Sequence, residues 1–127
     1  MDLLLDTHAA LWWAQDPSRL STDAVQAIED PTRLVWFTAA SAWELSIKVH
    51  GGKLRVDVAR LVEGLTSRGV RLLGIGIDDA IAAGSLTWDH RDPFDRMIVA
   101  QAARNNLALV TRDTAIREYA SLQTIVA

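Results

Sequence analysis

The sequence predicts an α/β domain built on a parallel sheet of four to five strands with helices on both faces. Three observations carry this. Short apolar runs alternate with amphipathic segments along the whole chain, and strands joined through helices form right-handed crossovers in a parallel sheet. The runs Leu3–Leu5, Leu34–Phe37 and Leu107–Val110 are apolar at consecutive positions, as strands covered on both faces require. Four acids, Asp6, Glu44, Asp95 and Asp113, stand at helix starts that follow strand-like runs.

The elements follow in order. Leu3–Asp6 forms the first strand and His8–Ala14 a short helix that Pro17 ends. Ser21 is an N-cap for a helix to Glu29 whose stripe is Val25 and Ile28. Asp30-Pro31 turns the chain into a buried second strand, Leu34–Thr38. A helix from Ala40 to Val49 stops at Gly51-Gly52, and another runs from Val58 to Ser67 and ends at Gly69. Val70–Ile75 is the third strand, and Asp78 or Asp79 caps a helix ending near Leu86. Asp92-Pro93 combines an N-cap with proline at the first helical position, opening a helix to Asn105 with Phe94, Met97, Ile98 and Ala102 inward. Leu107–Thr111, a short helix Thr114–Tyr119 and a weak strand Gln123–Val126 complete the chain.

The length of 127 residues suits a single domain spanning 1–127. No window reaches the roughly 18 consecutive apolar residues of a membrane span, and the N-terminus lacks the pattern of a signal peptide. Without cysteine there is no disulfide, thiolate zinc site or cysteine nucleophile, so a cytoplasmic location is the expectation. A net charge of −3 argues against a generally basic nucleic-acid binder. Of 13 cationic residues 11 are arginine, which suits bidentate phosphate contacts. Arg104 and Arg117 read as solvated helix faces, whereas Arg96 and Arg112 each adjoin a site acid.

Taken singly, each acid has a structural role. Asp6 and Asp113 can cap the helices that follow them, Asp95 can compensate a helix dipole, and Ser41-Ala42-Trp43-Glu44 matches a capping box. Glu44 also stands four residues before Lys48, a favourable helical pair. Jointly they imply more. Helix starts after parallel strands share one edge of the sheet, where open α/β folds bind ligands. Acids gathered there repel one another unless a divalent cation lies among them, and magnesium takes such oxygen ligands. The histidines His8, His50 and His90 lack zinc spacing; His8 is close enough to Asp6 to touch a substrate, with a structural role the simpler reading. The tryptophans are core candidates, with an exposed one of Trp12 and Trp13 available to an interface.

The motifs Leu3-Leu4-Leu5-Asp6-Thr7-His8, Ser41-Ala42-Trp43-Glu44-Leu45-Ser46-Ile47-Lys48, His90-Arg91-Asp92-Pro93-Phe94-Asp95-Arg96-Met97 and Leu109-Val110-Thr111-Arg112-Asp113 occur in this order. With them the chain resembles PIN-domain ribonucleases, and within these the VapC-type toxins of bacterial toxin–antitoxin pairs. The resemblance implies a three-layer α/β/α sandwich, RNA phosphodiester hydrolysis dependent on Mg²⁺ or Mn²⁺, a homodimer and a cognate antitoxin that covers the active site. It carries over Asp6, Glu44 and Asp95 as metal-coordinating acids, matches Asp113 to a more variable fourth position, and matches Thr111 to a supporting polar residue. In the mechanism expected from this, water attacks phosphorus in line, with Arg96, Arg112 and Thr7 orienting phosphate oxygens. Single-stranded or looped RNA suits a cleft at a sheet edge.

Two other classes compete. A phosphoacceptor receiver domain needs an acidic pair near the first strand and a lysine before the last helix, yet the only lysines are Lys48 and Lys53. A catalytically silent interaction module would keep the fold and fail to bind Mg²⁺.

Overall fold

The computed structural model of the chain describes residues 1–119 and 122–127. Five strands, β1 (Leu3–Leu5), β2 (Val35–Thr38), β3 (Arg71–Leu73), β4 (Ala108–Thr111) and β5 (Thr124–Val126), form one sheet in the order β3-β2-β1-β4-β5. Every neighbouring pair is parallel, with Leu3 opposite both Val35 and Ala108. The α-helices are α1 (Thr7–Gln15), α2 (Thr22–Glu29), α3 (Ala39–His50), α4 (Val58–Ser67), α5 (Ile77–Ser85), α6 (Pro93–Arg104) and α7 (Thr114–Arg117), with a 3₁₀ turn at Pro17–Arg19. This is the three-layer sandwich.

The two-residue period of a strand explains the layers. Leu3, Leu5, Val35, Phe37, Ala108 and Val110 point to one face, against Ala9, Ala10 and Trp13 of α1, Ile28 of α2 and Leu61 and Leu65 of α4. The intervening Leu4 and Leu109 point to the other, against Ile98, Val99 and Ala102 of α6. The three leucines of β1 are fully buried because this strand is central and covered twice.

The connectivity places the site. From β1 the chain moves outward through β2 to β3, then crosses back to β4 on the other side of β1. Strand order therefore reverses at β1 and β4, and their carboxyl ends flank the crevice where such sheets bind ligands.

Several boundaries differ from those expected. β3 covers only Arg71–Leu73, because it is an edge strand paired on one side to the short β2. The N-cap of α5 is Gly76 rather than Asp78 or Asp79; Asp79, three residues on, accepts from the Gly76 N–H at 2.9 Å. Its other partners are Gln101 and Arg104. Arg104 thus pairs with α5 and is not a merely solvated cation. The helix α7 ends at Arg117, before Tyr119.

Candidate active site

Asp6 is the residue that follows β1, and its carboxylate is held from two sides. Oδ1 accepts from the Thr7 N–H at 2.8 Å, capping α1, and Oδ2 accepts from Thr111 Oγ1 at 2.7 Å across the β1–β4 gap. Thr111 ends β4; its hydroxyl in turn accepts from the Asp113 N–H at 3.1 Å. Asp113 caps α7 through Ile116 N–H. A single threonine therefore fixes the relation between the acids after β1 and β4.

Glu44 arrives from α3. Its Oε1 lies 2.7 Å from Thr7 Oγ1, which also lies 2.9 Å from Ser41 Oγ. A carboxylate only accepts and a hydroxyl has one proton, so Thr7 donates to Glu44 and Ser41 donates to Thr7. Lys48 reaches Glu44 Oε2 at 3.3 Å. Asp95 lies in the first turn of α6, where Asp92 caps Phe94 and Asp95 N–H groups. Its Oδ2 is 2.7 Å from His90 Nε2.

Asp6, Glu44, Asp95 and Asp113 line one cavity of about 330 Å³, together with Asp92, Lys48 and Arg112. The acids act on one another. Burial raises the Asp6 pKa above its ordinary value; bonds from Thr111 and Thr7 pull it down, and the charge of Glu44 pushes it up. Burial likewise lifts Asp95 to about 6 against the pull of the His90 bond, with the charges of Asp92, Asp6 and Asp113 adding to the rise. Among the described residues, no three acid or histidine side chains close into a cage that would hold an ion by protein ligands alone. Magnesium and manganese do not require one. They take hard oxygen donors, and magnesium commonly binds through one or two carboxylates while keeping several waters. The all-oxygen donor set fits such a cation.

The four acids line one cavity with Thr7 and Arg112, and Thr111 donates to Asp6; the residues expected to orient phosphate make other contacts. Arg96 is not among the residues lining the cavity. Its guanidinium donates to the carbonyl oxygens of Ala83, Leu86, Trp88 and His90, tying down the segment before α6. Arg112 lines the cavity, but it is anchored to the main-chain oxygens of Ala127 and Arg19 and lies over the Trp12 ring. Thr7 is buried, and its hydroxyl holds Glu44. The capping box at Ser41 is absent because α3 starts at Ala39 with Thr38 as its cap, which puts Ser41 inside the helix and buries it. The exposed tryptophan is Trp43 rather than Trp12 or Trp13. The sequence assigns His90 no role at the site, although it opens the motif that carries Asp95.

A family model described as PIN domain matches residues 3–122. Ribonuclease VapC22 of Mycobacterium tuberculosis is 32% identical over 121 residues, spanning 92% of this chain and 91% of that protein. A chain from the crystal structure of VapBC2 from Rickettsia felis, bound to a DNA fragment from their promoter, superposes with a TM-score of 0.73 at 13% identity, covering 98% of each. A toxin–antitoxin complex from Klebsiella pneumoniae gives 0.67 at 19% identity over 98% of this chain and 97% of that one. At these identities the solved structures attest the fold.

Proposed function

The chain belongs to the PIN-domain family, and we propose that it is a divalent-metal-dependent ribonuclease toxin restrained by a cognate antitoxin. The observation that carries this is the convergence of Asp6, Glu44, Asp95 and Asp113, from four separate parts of the sequence, on one cavity at the strand-order reversal. In this reading Asp6, Glu44 and Asp95 hold Mg²⁺ or Mn²⁺, with Asp113 as a further, weaker contributor. When bound, the cation lowers the pKa of water and offsets negative charge developing on the phosphate.

The remaining residues prepare that site. Thr111 and the Thr7 N–H hold both Asp6 oxygens, so the carboxylate cannot rotate away. Thr7 and Lys48 fix the two oxygens of Glu44. His90 orients Asp95. Such outer contacts keep ligands in place and set their basicity. Lys48 and Arg112 line the acidic cavity and moderate its charge where a phosphate must enter. Single-stranded or looped RNA is the substrate class, since unpaired strands can enter a cleft that a stem cannot.

The protein partners are a homodimer mate and an antitoxin that presents arginine to the acidic cavity. The cellular setting is the cytoplasm; no helix among the described residues is long and apolar enough to cross a membrane.

The test is cleavage of an end-labelled, unstructured RNA by purified protein in Mg²⁺ or Mn²⁺, with EDTA as control. Cleavage in either metal, abolished by EDTA and by Asp6→Asn, Glu44→Gln or Asp95→Asn in folded protein, is expected. A folded wild type that cleaves neither this RNA nor total cellular RNA supports a silent interaction module instead.

A further inference from the structure

Trp43 is the largest side chain exposed to solvent, at 61%. An indole in that state leaves apolar area in water that most tryptophans bury. Its surroundings point to a use. Trp43 immediately precedes Glu44 on α3, and Phe94 immediately precedes Asp95 in the first turn of α6. The two rings meet edge to face with centroids 5.0 Å apart and planes at 77°. The contact ties together the two helices that deliver Glu44 and Asp95, so each ring stands one residue along its helix from a site acid, outside the lining of the cavity itself. Phe94 is half-buried, and it braces the indole from one side while most of the Trp43 surface stays open.

We propose that Trp43, held by Phe94, is a stacking platform for one unpaired base of the RNA beside the scissile phosphate. The proposal rests on the ribonuclease reading above and adds the means by which the strand is seated. Phosphate contacts are few at this site: Arg96 is spent on carbonyl oxygens, Arg112 is anchored to the main chain, Lys48 is paired with Glu44, and the acids repel the backbone. Base stacking avoids that difficulty, because a π-face carries no net charge and every base has one. A braced ring is the better platform, since its orientation is fixed before the strand arrives. Ile47, one helical turn beyond Trp43, is also exposed, at 48%. The face could therefore meet a second protein molecule, and the proximity to Glu44 and Asp95 favours RNA over that occupant.

The experiment compares wild type, Trp43→Ala and Trp43→Phe on one single-stranded RNA, with KM and kcat determined separately and solution mass measured for each. Loss of a stacked base is expected to raise KM about ten-fold in Trp43→Ala with kcat within about two-fold, and Trp43→Phe should recover most of the loss. Abasic ribose is then placed in turn at each position around the cut. One position should weaken wild type and leave Trp43→Ala unchanged, because the missing base and missing ring are the same interaction. Equal KM for wild type and Trp43→Ala overturns the proposal, as does an abasic penalty identical in both. A drop in solution mass with KM unchanged overturns it in favour of a protein interface. A wild type without RNA cleavage removes the ribonuclease reading itself, whereas a cleaving wild type with an indifferent Trp43 removes only the platform.

Discussion

Thr111, His90 and Asp95 show how single side chains set the properties of the acids. Thr111 donates to Asp6, a carboxylate largely removed from water. Thr111→Val keeps the shape and deletes that donor. Loss of such an outer contact costs about ten- to a hundred-fold in metal affinity, so half-maximal cleavage should require correspondingly more Mg²⁺. Thr111→Ser should restore the wild-type requirement. An unchanged Mg²⁺ titration for Thr111→Val would show that the bond is incidental. Asp95 makes a stability prediction. Its folded pKa of about 6 lies above the ordinary 3.8, so the folded state binds the proton more tightly than the unfolded chain. That contribution is complete below pH 3.8 and is lost as pH rises through about 6. Metal-free Asp95→Asn should melt above wild type at pH 8, with the advantage shrinking towards pH 4. An advantage equal at both pH values contradicts the assignment. Asp6 and Asp113 were legible in the sequence because they stand at strand-to-helix junctions, whereas Glu44 lies inside α3 and Asp95 opens a helix that follows an irregular segment, not a strand. The hydrogen-bond partners that steer them were less so. Adjacency in sequence placed Arg96 beside Asp95, but one step along a helix turns a side chain by about 100°, and Arg96 points to the preceding segment.

At the scale of elements, the order of strands and helices followed from apolar runs and caps. Asp92-Pro93 opens α6 as predicted, and Ser21 caps α2 by accepting from Ala24 N–H at 3.0 Å. The misread starts share a cause. Ser41 and Glu44 have capping-box spacing, yet Thr38 captures the cap of α3 by accepting from Ala40 N–H at 3.1 Å. Gly76 takes the start of α5, and Asp79 reaches back to it from the first turn. Local patterns identify a helix more firmly than the residue that begins it. The segment between α5 and α6 has no regular structure, and Arg96 supplies donors to three of its carbonyl groups, those of Leu86, Trp88 and His90, and to that of Ala83 in α5. The same segment carries His90 onto Asp95. Arg96→Ala should therefore lower stability by about 2 kcal/mol through unpaired carbonyls and reduce cleavage through a displaced His90. Arg96→Lys should recover little, because an ammonium lacks the planar fork. Chemical denaturation and cleavage rates check both. A variant of full stability with a weakened salt dependence of RNA binding would instead return Arg96 to a phosphate contact.

For the whole molecule, parallel connectivity accounts for the site. Four acids spread from position 6 to position 113 meet because the chain reverses its direction across the sheet at β1 and β4. The alternation of elements predicts the shared edge of a parallel sheet, whereas the strand order that puts the reversal at β1 and β4 is not written in it. The cavity's geometry, the scarcity of free cations around it and the exposed Trp43 depend on side-chain directions that periodicity does not fix. In a cell, expression of the chain alone should arrest growth, and co-expression of an antitoxin from a neighbouring reading frame should release it. Normal growth with intact, folded protein present would oppose the toxin reading. The central claim, that these acids form one metal site, is tested most directly by calorimetric titration of Mn²⁺ into metal-free wild type, Asp6→Asn and Asp95→Asn. Saturable binding by wild type, weakened about ten-fold or more in both variants while each remains folded, is the predicted result. Wild-type Mn²⁺ affinity in Asp6→Asn would contradict it and reduce Asp6 to a helix cap.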